Sequence, residues 1–284
     1  MMDSVQHQDL LSAKAITALL KTPVPASYVQ VLPVVSSTND LAKEQASAGA
    51  PAFTTIIAEK QTRGKGRMGR SFYSPPASGI YLSMILQPAF MESQVMLLTT
   101  GVAVAAARAI EAVCGSSVQI KWVNDLYLRG KKVAGILVEA VTPAPVENTA
   151  GHIRYIVVGI GLNVRVSDEG FPPELAVKAG ALYDKGEEVS RNALAAALID
   201  QLWYMVKRLE EEPESCADEL VTEAAARSCV IGRDIFVDGH HQLTEGRAVG
   251  LDAHGSLLVE DAEGRRYTLS TGEITLRSAD GNLW

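Results

Sequence analysis

The chain has 284 residues, 47% hydrophobic and 21% charged, a balance that supports a real core and argues against disorder. Its formal net charge of -7 argues against general binding of nucleic acid or of an anionic membrane surface, although a local basic patch stays open. Cys114, Cys216 and Cys229 form no CxxC pair, so neither a disulfide framework nor a zinc ribbon is expected, and a reducing cytoplasm fits best.

In chain order, Asp3 and Asp9 near the start do not suit a secretory leader. Leu10, Leu11, Ala15, Ile16, Leu19 and Leu20 recur at helical spacing and predict one amphipathic helix over 9–21, ended by Pro23 and Pro25. Residues 28–35 read as a strand running into Ser36-Ser37-Thr38-Asn39-Asp40, whose side chains suit a helix N-cap. The β-branched run 54–58 predicts a buried strand that feeds a glycine-rich loop, 63–70. A strand over 80–86 and a helix over 97–113 follow. Arg108 and Glu111 interrupt that helix, which reads as buried rather than as a membrane span. Residues 119–122 and 132–140 read as a strand pair joined through Asn124-Asp125 and an Arg129-Gly130 turn. A strand over 155–160 closes in Gly159-Ile-Gly-Leu-Asn163, and helices are expected over 192–211, capped by Ser190, and over 216–228. Beyond Cys229, five short β runs (234–237, 246–251, 257–260, 266–270 and 274–276) separated by Asp-Gly, His-Gly and Glu-Gly turns predict a small barrel. The expected fold is α+β: a helical extension over 1–27, a main domain over 28–228 and an all-β domain over 229–284.

Three stretches carry chemistry. The loop Arg63-Gly-Lys-Gly-Arg-Met-Gly-Arg70 places four cations in eight residues, with glycines that let backbone N–H groups approach an anion. It formally matches GxGxxG, but Pro75 and Pro76 soon after it disfavour the helix that a dinucleotide motif needs, and no Walker A pattern occurs. An anion-gripping loop and a merely solvated basic loop both remain open on spacing alone. In the run Lys121 to Val138, Lys132 leads straight into an apolar strand, so its ammonium is expected to project toward whatever that strand lines. Gly159 and Gly161 at a strand end permit close approach of a ligand, or simply a tight turn. His240, His241 and His254 lack supporting carboxylates and read as surface turn residues, and no GxSxG elbow occurs.

Taken together, the chain resembles the biotin protein ligases. The resemblance rests on Ser37-Thr38-Asn39, Gln61 to Arg70, Lys121-Trp-Val-Asn-Asp-Leu-Tyr-Leu, Lys132-Val-Ala-Gly-Ile-Leu, Gly159-Ile-Gly-Leu-Asn163 and Gly272-Glu-Ile-Thr-Leu-Arg-Ser278, in that order over about residues 30–278. It implies a mixed-sheet catalytic domain of the class II aminoacyl-tRNA synthetase and biotin ligase type, with an SH3-like C-terminal barrel. It implies an enzyme that activates biotin with Mg-ATP as biotinyl-5'-AMP, releasing pyrophosphate, and then transfers biotin to a lysine of a biotin carboxyl carrier domain of acetyl-CoA carboxylase or a related carboxylase.

The same resemblance distributes roles. Lys132 and Arg67 would be catalytic, stabilising charge on the reacting phosphate. Ser37, Thr38, Asn39, Gln61, Lys65, Gly66, Arg67, Lys132, Gly135, Leu137 and Gly159 would bind biotin or shape its pocket. Arg67, Arg70, Phe72, Asn124, Lys132 and Asn163 would meet the nucleotide, with Asn163 at the pocket floor. Metal ligands are not assigned, Asp125 being a candidate by location alone. Three departures stand out: Lys65 where many relatives carry Arg, Phe72 where they often carry Trp, and Val123 for a common Pro. Only 36 residues precede Ser37, too few for the winged helix of the repressor-type relatives, so a monofunctional ligase without operator binding is expected. A membrane partner is not expected, and whether the chain forms a homodimer is left open. Two competing readings are a lipoate ligase-like adenylating enzyme and, from another class, a nucleic-acid-binding module whose affinity falls steeply with salt.

Overall fold

A computed structural model describes residues 9–87, 95–141, 154–184, 189–238, 243–270 and 272–276. Residues 1–8 of the expected 1–27 extension, the turn histidines His240 and His241, and the chain end 277–284 lie outside these residues. Among the described residues, one sheet holds seven strands: β1 (Val29–Leu32), β2 (Thr55–Ala58), β3 (Gly79–Leu86), β4 (Gln119–Lys121), β5 (Asp125–Leu128), β6 (Lys131–Val141) and β7 (Tyr155–Asn163). Their order is β1-β2-β3-β7-β6-β5-β4; β1 and β2 run parallel and every other pair is antiparallel. The second sheet holds β8 (Asp234–Asp238), β9 (Glu245–Leu251), β10 (Leu257–Glu260), β11 (Arg266–Leu269) and β12 (Glu273–Leu276), antiparallel throughout in the order β11-β10-β9-β8-β12. The α+β class and the five C-terminal runs stand as expected, each run within one residue at either end.

Four expectations need correction. The helix over 9–21 shrinks to α1 (Ala13–Thr17), capped by Ser12, because tertiary partners claim the flanking amides. Leu11 N donates to Glu59 Oε1 at 2.6 Å, Ser12 N to Asn192 Oδ1 at 2.8 Å, and the amides of Lys21 and Thr22 donate to Asp200. The strand over 28–35 stops at Leu32, since Pro33 has no N–H for the ladder. Residues 119–121 do not pair with 131–141; β5 lies between them, joined to β6 through Arg129 and Gly130, both at positive φ as a two-residue hairpin turn requires. The last helix of the main domain, α6 (Pro213–Ala226), starts earlier than expected, with Pro213 in its first turn.

The helices α2 (Thr38–Ser47) and α3 (Val95–Cys114) take opposite faces of the large sheet, and strand periodicity explains how. In β7, Ile156, Val158, Ile160 and Leu162 join the core with α3 and with α5 (Arg191–Glu211), whose N-cap is Ser190 as expected. Tyr155 and Val157, on the alternate positions, pack with Ala42 and Ala46 of α2. The next two positions on that alternate face are Gly159 and Gly161, so the face is bare where α2 begins. In β6, Ala134 and Ile136 face the α3 core, leaving Gly135 and Leu137 on the bare side. α3 is long and apolar enough to cross a membrane, but here 67% of its most apolar stretch is buried inside the fold. A short helix, α4 (Pro173–Ala176), lies beyond β7. The C-terminal sheet has a core of its own, which also takes in Trp122 and Val123, and Trp122 Nε1 donates to Gly255 O at 3.0 Å.

Candidate active site

A cavity of about 550 Å³ occupies the bare part of the sheet face. Its floor is glycine by necessity. A β-carbon at Gly159 would stand 2.1 Å from Asn39 Oδ1, and one at Gly161 would stand 2.5 Å from the Phe72 ring. The Phe72 ring also lies over Gly135 and meets Tyr81 edge-on, with ring centroids 6.4 Å apart.

Over β3, β7 and β6 the cavity wall is a polar network from the start of α2. Ser37 caps the helix, its Oγ accepting from Asp40 N. Gln61 Oε1 accepts from Thr38 N at 2.8 Å and from Thr38 Oγ1 at 3.1 Å, while Gln61 Nε2 donates to Ser74 Oγ. Ser83 Oγ, one proton between two acceptors, lies 2.5 Å from Asn39 Oδ1 and 2.7 Å from Thr38 Oγ1. Both protons of Asn39 Nδ2 are engaged, by Glu139 Oε2 at 2.9 Å and Leu137 O at 3.4 Å. Lys43 holds the other Glu139 oxygen at 2.8 Å. Burial favours the neutral amine of Lys43, but its carboxylate partners Glu139 and Asp40 outweigh that and raise its pKa.

Toward the β4 edge the wall turns cationic. Among the described lining residues Lys65, Arg67, Arg70, Lys121, Lys132 and Lys178 are cationic, and Asp125 is the one carboxylate. Lys132 Nζ forms an ion pair with Asp125 Oδ1 at 2.6 Å, off the angle of a hydrogen bond. Its placement depends on a β-bulge. Leu126 pairs with Ala134 but Tyr127 pairs with Lys132, so Val133 is an extra residue. Without the bulge, position 132 would share the core face with Ala134 and Ile136; with it, Lys132 emerges beside Gly135 in the cavity.

The loop 64–72 is a small hairpin rather than a featureless turn. Gly66 N donates to Arg70 O, Phe72 N to Gly64 O, and a 3-10 turn spans Arg67–Gly69. No α-helix follows it, so the GxGxxG match is accidental. Arg67 donates to Asn124 Oδ1 at 3.2 Å and to Gly272 O at 3.3 Å, which ties the hairpin to the C-terminal sheet. Lys65 pairs with Asp40 at 2.7 Å. Burial tends to raise the Asp40 pKa, yet Lys65 and Lys43 together hold it below the usual carboxylate value.

Of the residues singled out from the sequence, Ser37, Thr38, Asn39, Gln61, Lys65, Gly66, Arg67, Arg70, Phe72, Asn124, Lys132, Gly135, Leu137 and Gly159 all line this cavity. Asn163 does not. Its Nδ2 donates instead to Gly180 O at 2.9 Å, at the far end of β7. Gly161, noted with Gly159 as permitting close approach but given no binding role, also lines the cavity, as does Lys121, which opens its own motif and was given no role. The sequence reading passed over Lys178, which no motif marks.

Residues 31–163 match the biotin/lipoate A/B protein ligase family, and residues 230–277 match the biotin protein ligase C-terminal domain. The bifunctional ligase/repressor BirA of Escherichia coli is 32% identical over 95% of this chain and 79% of its own length. The biotin–[acetyl-CoA-carboxylase] ligase of Mycobacterium tuberculosis is 30% identical over 87% of this chain and 88% of its own. Among solved structures, the biotin protein ligase of Aquifex aeolicus in complex with biotin and ATP superposes with a TM-score of 0.73 at 26% identity, covering 88% of this chain and 99% of that one. The profile matches, the full-length similarity and the shared two-domain fold make this chain a member of the biotin protein ligase family.

Proposed function

We propose that this chain is a biotin–[acetyl-CoA-carboxylase] ligase whose two half-reactions take place in the cavity above the glycine floor. The observation that carries this reading is the convergence of Arg67 and Lys132, 65 residues apart in sequence, on one cavity whose remaining wall is a neutral hydroxyl–amide network. In the first step a carboxylate oxygen of biotin attacks the α-phosphorus of ATP. The bond from that phosphorus to the bridging oxygen breaks, and pyrophosphate leaves with the bonding pair. Charge builds on phosphate oxygens, so fixed cations serve this step better than a protein nucleophile. Lys132 meets the biotin carboxylate and α-phosphate, with Asp125 holding its ammonium in place. In the second step the neutral amine of a carrier-domain lysine attacks the acyl carbon, the bond to the AMP oxygen breaks, and the amine proton passes to solvent.

Thr38 and Gln61 present polar edges to the ureido head of biotin, while Asn39, its amide protons already engaged, shapes the pocket. Lys65, Gly66 and Arg67 cover the adenylate with Arg70, and Phe72 and Asn124 flank it. Magnesium enters as the counter-ion of ATP, where it neutralises phosphate charge. One lining carboxylate, Asp125, suits a cation held mainly by phosphate and water, and no cluster of three metal-ligating side chains occurs among the described residues.

The direct test is the mass of a purified carboxyl carrier domain incubated with this protein, biotin and Mg-ATP, omitting one component at a time. A shift of one biotinyl group that needs every component is expected. Biotin-independent or lipoate-dependent pyrophosphate exchange would sink the assignment. Two variants refine it. Gly159→Ala forces Asn39 aside and is expected to raise the KM for biotin by on the order of ten- to a hundredfold, as overpacking of about 1–3 kcal/mol implies; an unchanged KM would move the biotin site elsewhere. Arg67→Gly cuts the hairpin from Asn124 and Gly272, so biotinyl-AMP should form but leak, read as faster release of the intermediate in a dissociation assay.

A further inference from the structure

The segment that follows α4 is laced to the strand that carries Lys132. Lys132 N donates to Lys178 O at 2.9 Å and Gly180 N donates to Lys132 O at 2.8 Å, so residues 178–180 run as a strap along the start of β6. Three contacts fix the strap. Asn163 Nδ2 donates to Gly180 O at 2.9 Å, Lys131 Nζ donates to Ala176 O at 3.0 Å, and Leu182 N donates to Asn163 O at 3.0 Å. The approach is close enough that a β-carbon at Gly180 would lie 2.8 Å from Lys131 Cβ. The motif asparagine that sequence reading placed beneath the ligand therefore acts at one remove, through the strap.

Of the strap residues, Lys178 and Ala179 line the cavity, and Lys178 is the charged one. Lys65 and Lys132 have carboxylate partners and Arg67 has carbonyl partners, whereas Lys178 has no ion-pair partner among the described residues. Lys121 shares the neighbourhood: burial first, then the charges of Lys132 and Lys178, lower its pKa against the pull of Asp125. Lys121, Lys132 and Lys178 thus line one cavity whose described lining holds a single carboxylate, an excess of positive charge that a single α-phosphate does not require.

Resting on the ligase reading above, we infer that Lys178 binds the β- and γ-phosphates of ATP and the departing pyrophosphate, and that Asn163 is the positioning residue that holds it there. A strap hydrogen-bonded to both sides of the Lys132 peptide keeps the two ammonium groups in register, one for the reacting phosphate and one for the leaving group. Because the strap fixes the backbone that carries Lys178, only its side chain has to be ordered on binding.

The test is steady-state pyrophosphate exchange and pyrophosphate inhibition with Lys178→Ala, Lys178→Arg and Asn163→Ala. Lys178 is exposed, so its variants test binding rather than folding. Lys178→Ala is expected to raise the KM for ATP and the inhibition constant for pyrophosphate together, by about tenfold each, as one lost charge-assisted contact implies. The KM for biotin and inhibition by AMP should stay unchanged, and Lys178→Arg should recover most of the loss. Asn163→Ala should weaken ATP binding in the parent but add little in the Lys178→Ala background. Unchanged ATP and pyrophosphate constants for Lys178→Ala, or an equal loss for AMP, would overturn the role of Lys178. Fully additive losses in the double variant would overturn that of Asn163. Absence of biotin-dependent exchange in the parent enzyme would instead overturn the ligase reading itself.

Discussion

Replacing Lys132 with alanine is expected to slow biotin-dependent pyrophosphate exchange by about a hundred- to a thousandfold, the roughly 3 kcal/mol lost when a preorganised charge-stabilising donor is removed. Two effects add. On the proposed mechanism the developing phosphate charge loses a fixed cation, and Asp125, now without the ammonium 2.6 Å away, leaves a carboxylate facing that same charge. Lys132→Ala/Asp125→Asn should therefore be faster than Lys132→Ala alone, a non-additivity that a purely structural lysine would not produce. Rates for Lys132→Ala within a few-fold of the parent would remove this residue from the mechanism.

The second large effect concerns stability. Arg191, at the start of α5, is completely buried, and its guanidinium meets Glu59 Oε2 at 2.8 Å, Gly79 O at 3.1 Å and Asp9 O. Its Nε faces Asp9 Oδ2 at 3.4 Å, an ion pair without a hydrogen bond. One cation thereby joins the N-terminal segment, the end of β2, the start of β3 and α5. Removing a partner leaves a charge stranded in low dielectric, so Glu59→Ala should lower the unfolding free energy in urea by about 3–5 kcal/mol. The paired replacement Arg191→Met/Glu59→Leu should cost less than Glu59→Ala, because neither charge then needs a partner. A loss below about 1 kcal/mol for Glu59→Ala would mean that water reaches Arg191 and solvates it.

What could be read from the sequence follows from which signals are local. Ser37 and Ser190 cap their helices through their own side chains, and strand periodicity with glycine at 159 and 161 is written in adjacent residues. The face on which Lys132 emerges is not: period-two counting points it into the core, and only the extra residue Val133, visible in the pairing of β5 with β6, turns it round. The strand Asp125–Leu128 escaped notice because it is four residues long and starts in a pair of turn-forming residues. Asn163 stands in a glycine-rich motif whose neighbours do line the cavity, but its amide is taken by Gly180, a partner 17 residues away. Glu59 and Arg191, 132 residues apart, gave no local sign of each other.

Trp122 and Val123, the two residues after Lys121, are buried in the interior of the C-terminal sheet, and Ile120 exchanges backbone hydrogen bonds with Arg227 and Cys229, across the passage into that sheet. The junction near residue 228 is thus a seam stitched through one half's cavity-lining turn into the other half's filling. Severing the chain there would cut into packed hydrocarbon instead of a tether, and the two halves should melt as one cooperative body. The C-terminal sheet is the mould in which the Lys121–Asp125 turn is cast, so changes deep inside it can reach the cavity wall without lining it.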